Sequence, residues 1–255
     1  MYEGLSLFYD ILTQDVDYGA IARFVSGRVR RSPAYRDYAA RGERPILLDC
    51  GCGTGRLIAE LRGEFDCIGL DASEEMLDAA RSSVPGSDVL WICQDMSRMD
   101  LYGSVTAVVS FTDSVNHLVS DRQLAAFFAR AHNFLDPGGL LLFDVLTEER
   151  FTGGNSKEFF ADLDELSCFW TGRYSPKTGI CTYDISCFIP TEPGGDTYVR
   201  ADDRVREKVR SEARLRELLG EAGFEKIIVF RGGKGGAPGG RTGACRLYFE
   251  CEKSK

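Results

Sequence analysis

The segment Ile46-Leu-Leu-Asp-Cys-Gly-Cys-Gly-Thr-Gly-Arg-Leu57 constrains this chain more than any other. A short apolar run ends in Asp49. Gly51, Gly53 and Gly55 follow at alternate positions, and a helix-forming pattern begins near Arg56. Glycines at that spacing let the backbone turn sharply after a buried strand and come close to a ligand. The helix that follows presents unpaired amides, which suit an anionic group. A dinucleotide fingerprint requires G-x-G-x-x-G. Counted from Gly51, the third glycine would fall on Arg56, so a nicotinamide-dinucleotide reading fails there.

The downstream pattern repeats the strand-then-ligand logic. The run Cys67-Ile-Gly-Leu70 ends in Asp71, and an acid at a second strand tip, about 20 residues past the glycines, is placed to accept from ribose hydroxyls. A helix over Ser73 to about Arg81 has Ser73 as N-cap, Glu74 and Glu75 in its first turn, and Met76 and Leu77 inward. A third run, Val89 to Cys93, ends in Gln94-Asp95-Met96, and a fourth, Val105 to Phe111, leads into Thr112-Asp-Ser-Val-Asn-His-Leu118. A helix over Arg122 to Phe134, the turn Leu135-Asp-Pro-Gly-Gly139 and the strand Leu140 to Val145 complete the series. Strands alternating with helices predict a parallel sheet covered on both faces.

The rest of the chain divides by texture. Residues 1–44 read as helices forming an N-terminal lid, and 45–150 with 210–255 as the core domain. Residues 151–209 read as an inserted antiparallel β lid rich in aromatics, with strands near 164–174, 180–190 and 196–209 set off by turn signals. Ser211 to Gly220 reads as a helix, Lys226 to Phe230 as a strand, 231–243 as a glycine-rich turn and Ala244 to Cys251 as the last strand.

At 255 residues with 44% hydrophobic content, the chain can bury a proper core. No apolar run reaches the roughly 18 residues of a membrane span. The opening MYEGLSLFYD lacks a basic region followed by an apolar stretch, so it is not read as a signal peptide. Nine cysteines without metal-ligand spacing indicate reduced thiols and a cytoplasmic protein, with no metal site. A net charge of −8 weighs against nucleic acid as partner. Arginine clusters at 23–44 and 200–216 read as solvated surface, because acids interleave the second.

Acid-x-Gly-x-Gly-x-Gly at Asp49–Gly55 resembles motif I of class I S-adenosylmethionine (SAM) methyltransferases. The resemblance extends through Tyr2-Glu3, Phe8-Tyr-Asp10, Asp15-Val-Asp-Tyr18, Asp71-Ala-Ser-Glu-Glu-Met-Leu77, Cys93-Gln-Asp-Met96, Asp113-Ser-Val-Asn116 and Phe143-Asp144 to the bacterial YqeM-type family. It implies an α/β fold: a doubly wound, seven-stranded, mostly parallel sheet whose last strand is antiparallel, with an inserted antiparallel β lid. It implies SAM as the cofactor. Asp49, Gly51 and Gly53 would line the methionine end, Asp71 the ribose, and Asp95 and Met96 the adenine, with Cys52 and Ala72 also among the cofactor-binding residues. Met76 and Phe111 complete the donor set, and Tyr9 and Tyr18 fold over it. Two departures stand out. Leu146 occupies a position usually held by Asn, and Val205-Arg-Glu-Lys-Val-Arg210 stands where the family carries His-x-Glu-Arg-Ala-Tyr.

Methyl transfer from a sulfonium is an in-line displacement that needs positioning, exclusion of water and, for a protonated acceptor, a base. His117, just past the fourth strand, and Asp144 are the catalytic candidates, with His117 equally readable as a packing residue. His132 reads as helix surface. Trp170 and its neighbours read as core of the lid, floor of an acceptor pocket or a dimer face. The acceptor is expected to be a small molecule, and the protein a monomer or homodimer. RNA or protein methylation is the alternative, weakened because no Asn/Asp-Pro-Pro-aromatic or Pro-Cys motif follows the fourth strand. A SAM-binding module without catalysis is a further alternative.

Overall fold

Strand β1 (Ile46–Cys50) lies at the centre of the sheet, with Leu47 and Leu48 fully buried. In the computed structural model, which describes residues 9–10, 13–86, 88–152, 158–163, 166–192, 195–233, 238 and 245–254, it pairs in parallel with β2 (Asp66–Asp71) and β4 (Val105–Ser110). Outside these neighbours lie β3 (Leu90–Cys93) and β5 (Leu135–Leu146). Strand β11 (Arg246–Glu252) runs antiparallel between β5 and β10 (Lys226–Arg231). The order is β10-β11-β5-β4-β1-β2-β3, the expected seven-stranded, mostly parallel, doubly wound sheet. Both faces are covered, which is why β4 is buried at every position, as a parallel strand in an α/β fold must be.

On one face, α5 (Asp121–Phe134) and α7 (Glu212–Glu221) cover Leu48, Val108 and Phe143 with Phe127, Phe128, Leu215 and Leu219. Phe143 and Phe249 sit opposite each other on β5 and β11 with rings stacked 4.7 Å apart. On the other face, α1 (Tyr18–Val29) and α3 (Arg56–Leu61) bury Val25, Val29, Ile58 and Leu61 against Leu47, Ala107 and Val109. Helix α2 (Pro33–Arg41) follows Ser32, which caps it by accepting from Tyr35 N. Helix α4 (Glu74–Ser83) starts on Ser73, which accepts from Met76 N, with Glu74 and Glu75 in the first turn as expected. Ser120 and Gln123 form a reciprocal capping box on α5.

The inserted sheet has the order β6-β7-β8-β9, from Glu158–Asp162, Ser167–Ser175, Ile180–Pro190 and Tyr198–Lys208. It carries one strand, β6, beyond the three read from the sequence. Its inner face holds a small core of Leu166, Cys168, Ile185, Cys187 and Val205. A short helix, α6 (Glu149–Thr152), joins β5 to this sheet region. No described helix is long and apolar enough to cross a membrane.

Several local expectations are corrected. Asp136-Pro-Gly-Gly139 belongs to β5 as an irregularity rather than preceding it as a free turn. Gly138 N donates to Lys253 O, and Lys253 N to Gly139 O, so β11's end holds this stretch in the sheet. His132 is half-buried on the helix surface, with its ring edge-on to Phe224 at 5.1 Å and against Gly223. The nine cysteines are free thiols. The arginine clusters are paired with acids: Arg30 with Glu64, Arg44 with Asp66, Arg204 with Asp184, and Arg210 and Arg214 with Asp121. Tyr2-Glu3, Phe8 and most of 231–243 lie outside the described residues.

Gly69 shows how tightly β2 and β3 fit. A Cβ there would lie 2.4 Å from the Trp91 ring and 2.9 Å from Ile58 Cδ1. Gly69→Ala should destabilise the chain by about 1–3 kcal/mol, the usual cost of overpacking. Because Trp91 is the closer neighbour, Trp91→Leu should restore part of the loss. A double-mutant cycle from denaturant unfolding reads both, and additive effects would remove Trp91 as the cause.

Candidate functional site

The strand order reverses between β1 and β4, and ligands in open α/β sheets bind outside the carboxyl ends of the strands at such a point. A cavity opens there, lined by Tyr9, Tyr18, Asp49, Gly51, Cys52, Gly53, Thr54, Leu57, Phe111 and Thr112. The lining unites seven of the donor residues expected from the sequence. They come from the N-terminal segment, the tip of β1, the glycine turn and the tip of β4.

The turn needs its glycines. Gly51 N and Cys52 N both donate to Leu70 O, which ties the turn to β2. Gly51 has φ +76, and a Cβ on it would lie 2.7 Å from Ser114 Oγ, so the loop after β4 packs directly on the glycine backbone. Gly53 N donates to Asp71 Oδ2 at 2.9 Å, and Ser73 N to Asp71 Oδ1 at 2.9 Å. The turn and the acid at the β2 tip are therefore held in one geometry. The N-terminal segment is fastened to the same turn, because Thr54 Oγ1 donates to Asp10 Oδ1 at 2.6 Å. Tyr18 lies under the Arg56 guanidinium, 4.7 Å from the ring centre, and burial raises its phenol to about 12.

Asp49 is 2% exposed. Burial, reinforced by the charge of Asp71, raises its carboxyl to about 7. A buried acid facing a cavity with no cation beside it is suited to a positively charged ligand, so the residues present fit the sulfonium and ammonium of SAM. Asp95 accepts from Ser97 N and caps the short turn Met96–Arg98. Met96 Cε reaches toward Gly51, while Met76 is buried in α4 and Ala72 is exposed beyond Asp71. These residues stand outside the enclosed cavity, on the side toward β2 and β3.

The two catalytic candidates lie on the opposite side, in a network that no sequence motif announces. Arg246, on β11, donates to Asp144 at 2.5 Å and to Asp113 at 2.6 Å. Asp144 Oδ1 accepts from Asp113 N at 3.0 Å, so both its oxygens are engaged and it is 2% exposed. Burial opposes the charges of Asp144 and Arg246 alike. For Arg246 the close contacts outweigh it and hold the guanidinium above its usual pKa, whereas for Asp144 burial dominates and pushes the carboxyl up despite Arg246. Thr112 and Asp113 both have left-handed backbone, at φ 56 and 62, which costs a non-glycine residue about 1–3 kcal/mol. The Arg246 network holds that conformation in place.

His117 ends the turn Ser114–His117, and burial lowers its pKa, so the ring is neutral near pH 7. It is hydrogen-bonded to the Arg206 backbone, and Asn116 Nδ2 donates to Lys208 O at 3.1 Å. Asn116 also accepts from Leu146 N at 2.9 Å. This turn thus clamps β9 of the inserted sheet to the core beside the donor cavity. Between these clamps, β9 delivers Glu207, which is 7% exposed and enclosed near Asp113 and Arg246. On the inserted sheet, Trp170 stacks on Phe159 at 4.4 Å, whereas Phe160, Phe169 and Phe188 are exposed.

Among the described residues no group of His, Cys, Asp and Glu could hold a metal ion. Residues 47–139 match the family described as "Methyltransferase domain". YqeM of Bacillus subtilis is 28% identical over 259 residues, covering 100% of this chain and 98% of the relative. A dTDP-3-amino-3,4,6-trideoxy-alpha-D-glucopyranose N,N-dimethyltransferase of Streptomyces venezuelae is 36% identical over 138 residues, about half of each chain (53% and 53%). The crystal structure of a SAM-dependent methyltransferase from Clostridium acetobutylicum superposes with a TM-score of 0.76 at 21% identity, covering 98% and 97% of the two chains.

Arg246→Met removes the cation and leaves Asp113 and Asp144 facing each other in a buried site. Stability should fall by about 3–5 kcal/mol, the usual cost of stranding a buried charge. Adding Asp144→Leu and Asp113→Asn should recover much of it. Denaturant midpoints for the single and triple variants provide the measurement, and a single variant as stable as wild type would contradict it.

Proposed function

Because the chain is a class I SAM-dependent methyltransferase of the YqeM-like family, we propose that it passes the methyl group of SAM to a small-molecule acceptor held between the N-terminal segment, the 112–118 loop and the inserted sheet. The observation that carries this reading is the enclosure of the donor cavity. Tyr9 and Tyr18 line it from the N-terminal side, where Asp10 is fastened to Thr54, and Phe111 and Thr112 line it from the loop that Asn116 and His117 tie to β9. A small acceptor fits such a narrow approach better than a duplex or a folded protein surface. The aminosugar N,N-dimethyltransferase that resembles the core domain supports the same size class.

SAM supplies an electrophilic methyl on a sulfonium whose departure as a neutral thioether needs no acid. The chain's own contribution is therefore geometric and electrostatic. The glycine turn and Asp71 fix the donor, Asp49 favours its positive charge, and Tyr9, Tyr18 and Phe111 exclude water. Such positioning is worth up to roughly 7–11 kcal/mol of a bimolecular barrier. Asp144, with both oxygens engaged, acts in this reading by holding the 112–113 backbone, and His117 by anchoring β9.

Calorimetry should show binding of both SAM and S-adenosylhomocysteine. Asp71→Ala should weaken it by about 1.5–3 kcal/mol through lost charged hydrogen bonds. With methyl-labelled SAM, label should accumulate in the small-molecule fraction of a metabolite mixture. Label only in RNA or protein, or binding without any transfer, would overturn the small-acceptor reading.

The Asp49 carboxyl also sets a pH dependence. Its pKa is raised to about 7 in the free protein, so it is mostly protonated below that pH. A bound cation favours the ionised form, so binding releases a proton on the acid side of pH 7. SAM affinity should therefore rise as pH increases toward about 7 and level off above it, gaining in total about 1.4 kcal/mol for each unit by which the pKa falls on binding. Binding enthalpies in two buffers of different ionisation heat read the released proton directly. Affinity unchanged with pH would dissociate Asp49 from the donor's charge.

A further inference from the structure

Glu207 is a buried carboxyl that the donor chemistry does not use. It is 7% exposed, and its Oε2 has no hydrogen-bond partner among the described residues. Buried polar atoms in folded proteins are nearly always satisfied, so an exception asks for a reason. The strand that carries it is not loose. His117 bonds the backbone of Arg206 on one side, and Asn116 that of Lys208 on the other, so Glu207 is held facing the core.

The charged and titratable groups around it come from every element packed there. Asp113 faces it from the loop after β4, Arg246 from β11, Arg150 from α6, and Cys181 and Tyr183 from β8, with Cys181 directly opposite in register. Asp144 completes the group behind Arg246. The Arg246 guanidinium is already shared by Asp113 and Asp144, so with Arg150 counted the cluster sets three carboxyl groups against two guanidinium groups. Burial, reinforced by Asp113, raises the Glu207 carboxyl to about 8, against the pull of Arg246 and Arg150.

Resting on the reading that the inserted sheet covers the acceptor, we infer that Glu207 receives a protonated amine, binds its ammonium and takes one proton from it, which makes amines the acceptor class. A carboxylate acceptor would add a further negative charge to a cluster already in excess. A hydroxyl is far too weak an acid for a carboxylate to deprotonate. An ammonium brings the missing positive charge, and a base that titrates near neutral pH is matched to its proton. The proton moves from nitrogen to Glu207, which frees the lone pair. The N–C bond forms as the C–S bond breaks, and the sulfur keeps the bonding pair as a neutral thioether. The product leaves as a methylated ammonium, and Glu207 returns its proton to solvent.

Methyl transfer from labelled SAM to a panel of primary and secondary amines (amino sugars, amino acids, aralkylamines) tests this, beside the same skeletons bearing hydroxyl in place of nitrogen. Wild type should methylate amines and leave the hydroxyl skeletons untouched, with kcat/KM rising with pH to a plateau near 8. Glu207→Gln should lower kcat/KM by about 100-fold or more and abolish that rise, with Glu207→Asp intermediate. SAM affinity by calorimetry should stay within about twofold, and the thermal midpoint should hold or increase, because the glutamine buries no charge. Glu207→Gln activity within about threefold of wild type, methylation of the hydroxyl skeletons, or silence on every amine with SAM bound would each overturn the assignment. A lowered thermal midpoint that accounts for the lost activity would also overturn it, by making Glu207 structural. Transfer to RNA or protein instead would fail the small-acceptor reading itself, a result separable from these.

Discussion

One guanidinium ties together the loop after β4, β5 and β11 on the side where the acceptor is proposed to bind. Arg246 joins the end of β11 to Asp144 on β5 and to Asp113 in the loop after β4. That loop carries two consecutive residues in left-handed backbone, which strand-to-turn geometry alone does not sustain in Thr and Asp. Release of Arg246 would leave two buried carboxylates in contact and a strained loop without its tether. The same loop supplies Thr112 to the donor cavity, Ser114 to the back of Gly51, and Asn116 and His117 to the inserted sheet. Donor turn, core sheet and lid are thus indexed to one another through a stretch of six residues that a single cation holds.

The electrostatics divide the site in two. Beside the glycine turn Asp49 and Asp71 are buried or half-buried with no ion pair among the described residues, and burial raises both carboxyls. Around Glu207 the acids are more numerous, and Arg246 and Arg150 stand against Asp113, Asp144 and Glu207. The two groups are built by different means: one around a cavity shaped by glycine backbone, the other from side chains brought together from separate elements.

The strand tips and glycine turn proposed to hold the donor were legible in the sequence because each of those parts is local. Asp49 and its glycines, Asp71 and Asp95 each lie at a strand tip followed by a turn, and the periodicity of a short window reports strand and turn together. The parallel core and the antiparallel insertion followed from the same patterns. What could not be read depends on pairing between distant segments. Arg246 and Asp113 are 133 residues apart, and only the antiparallel seating of β11 beside β5 brings them into contact. The Asp136–Gly139 stretch looked like a free turn because its partners, around Lys253, are equally remote. The partial cover that the Gly223-Phe224 turn gives His132 could not be read because that turn follows a different helix. Strand β6 was missed for a related reason: five residues of Phe-rich sequence beside a glycine run carry too short a pattern to separate strand from loop.

The position of β11 has a consequence for how the molecule is made. It is the last of the described strands in chain order, yet it lies inside the sheet, between β10 and β5. During synthesis the first five strands, the glycine turn and the inserted sheet are all available before it emerges. Until then β5 has an open edge, Phe143 lacks its stacking partner Phe249, and Asp113 and Asp144 have no counter-ion. The nascent chain can therefore assemble the glycine turn and the strand tips around it from short-range contacts, while the Asp113–Asp144 pair waits for one late strand to emerge. Maturation of the two parts is ordered in time by topology alone.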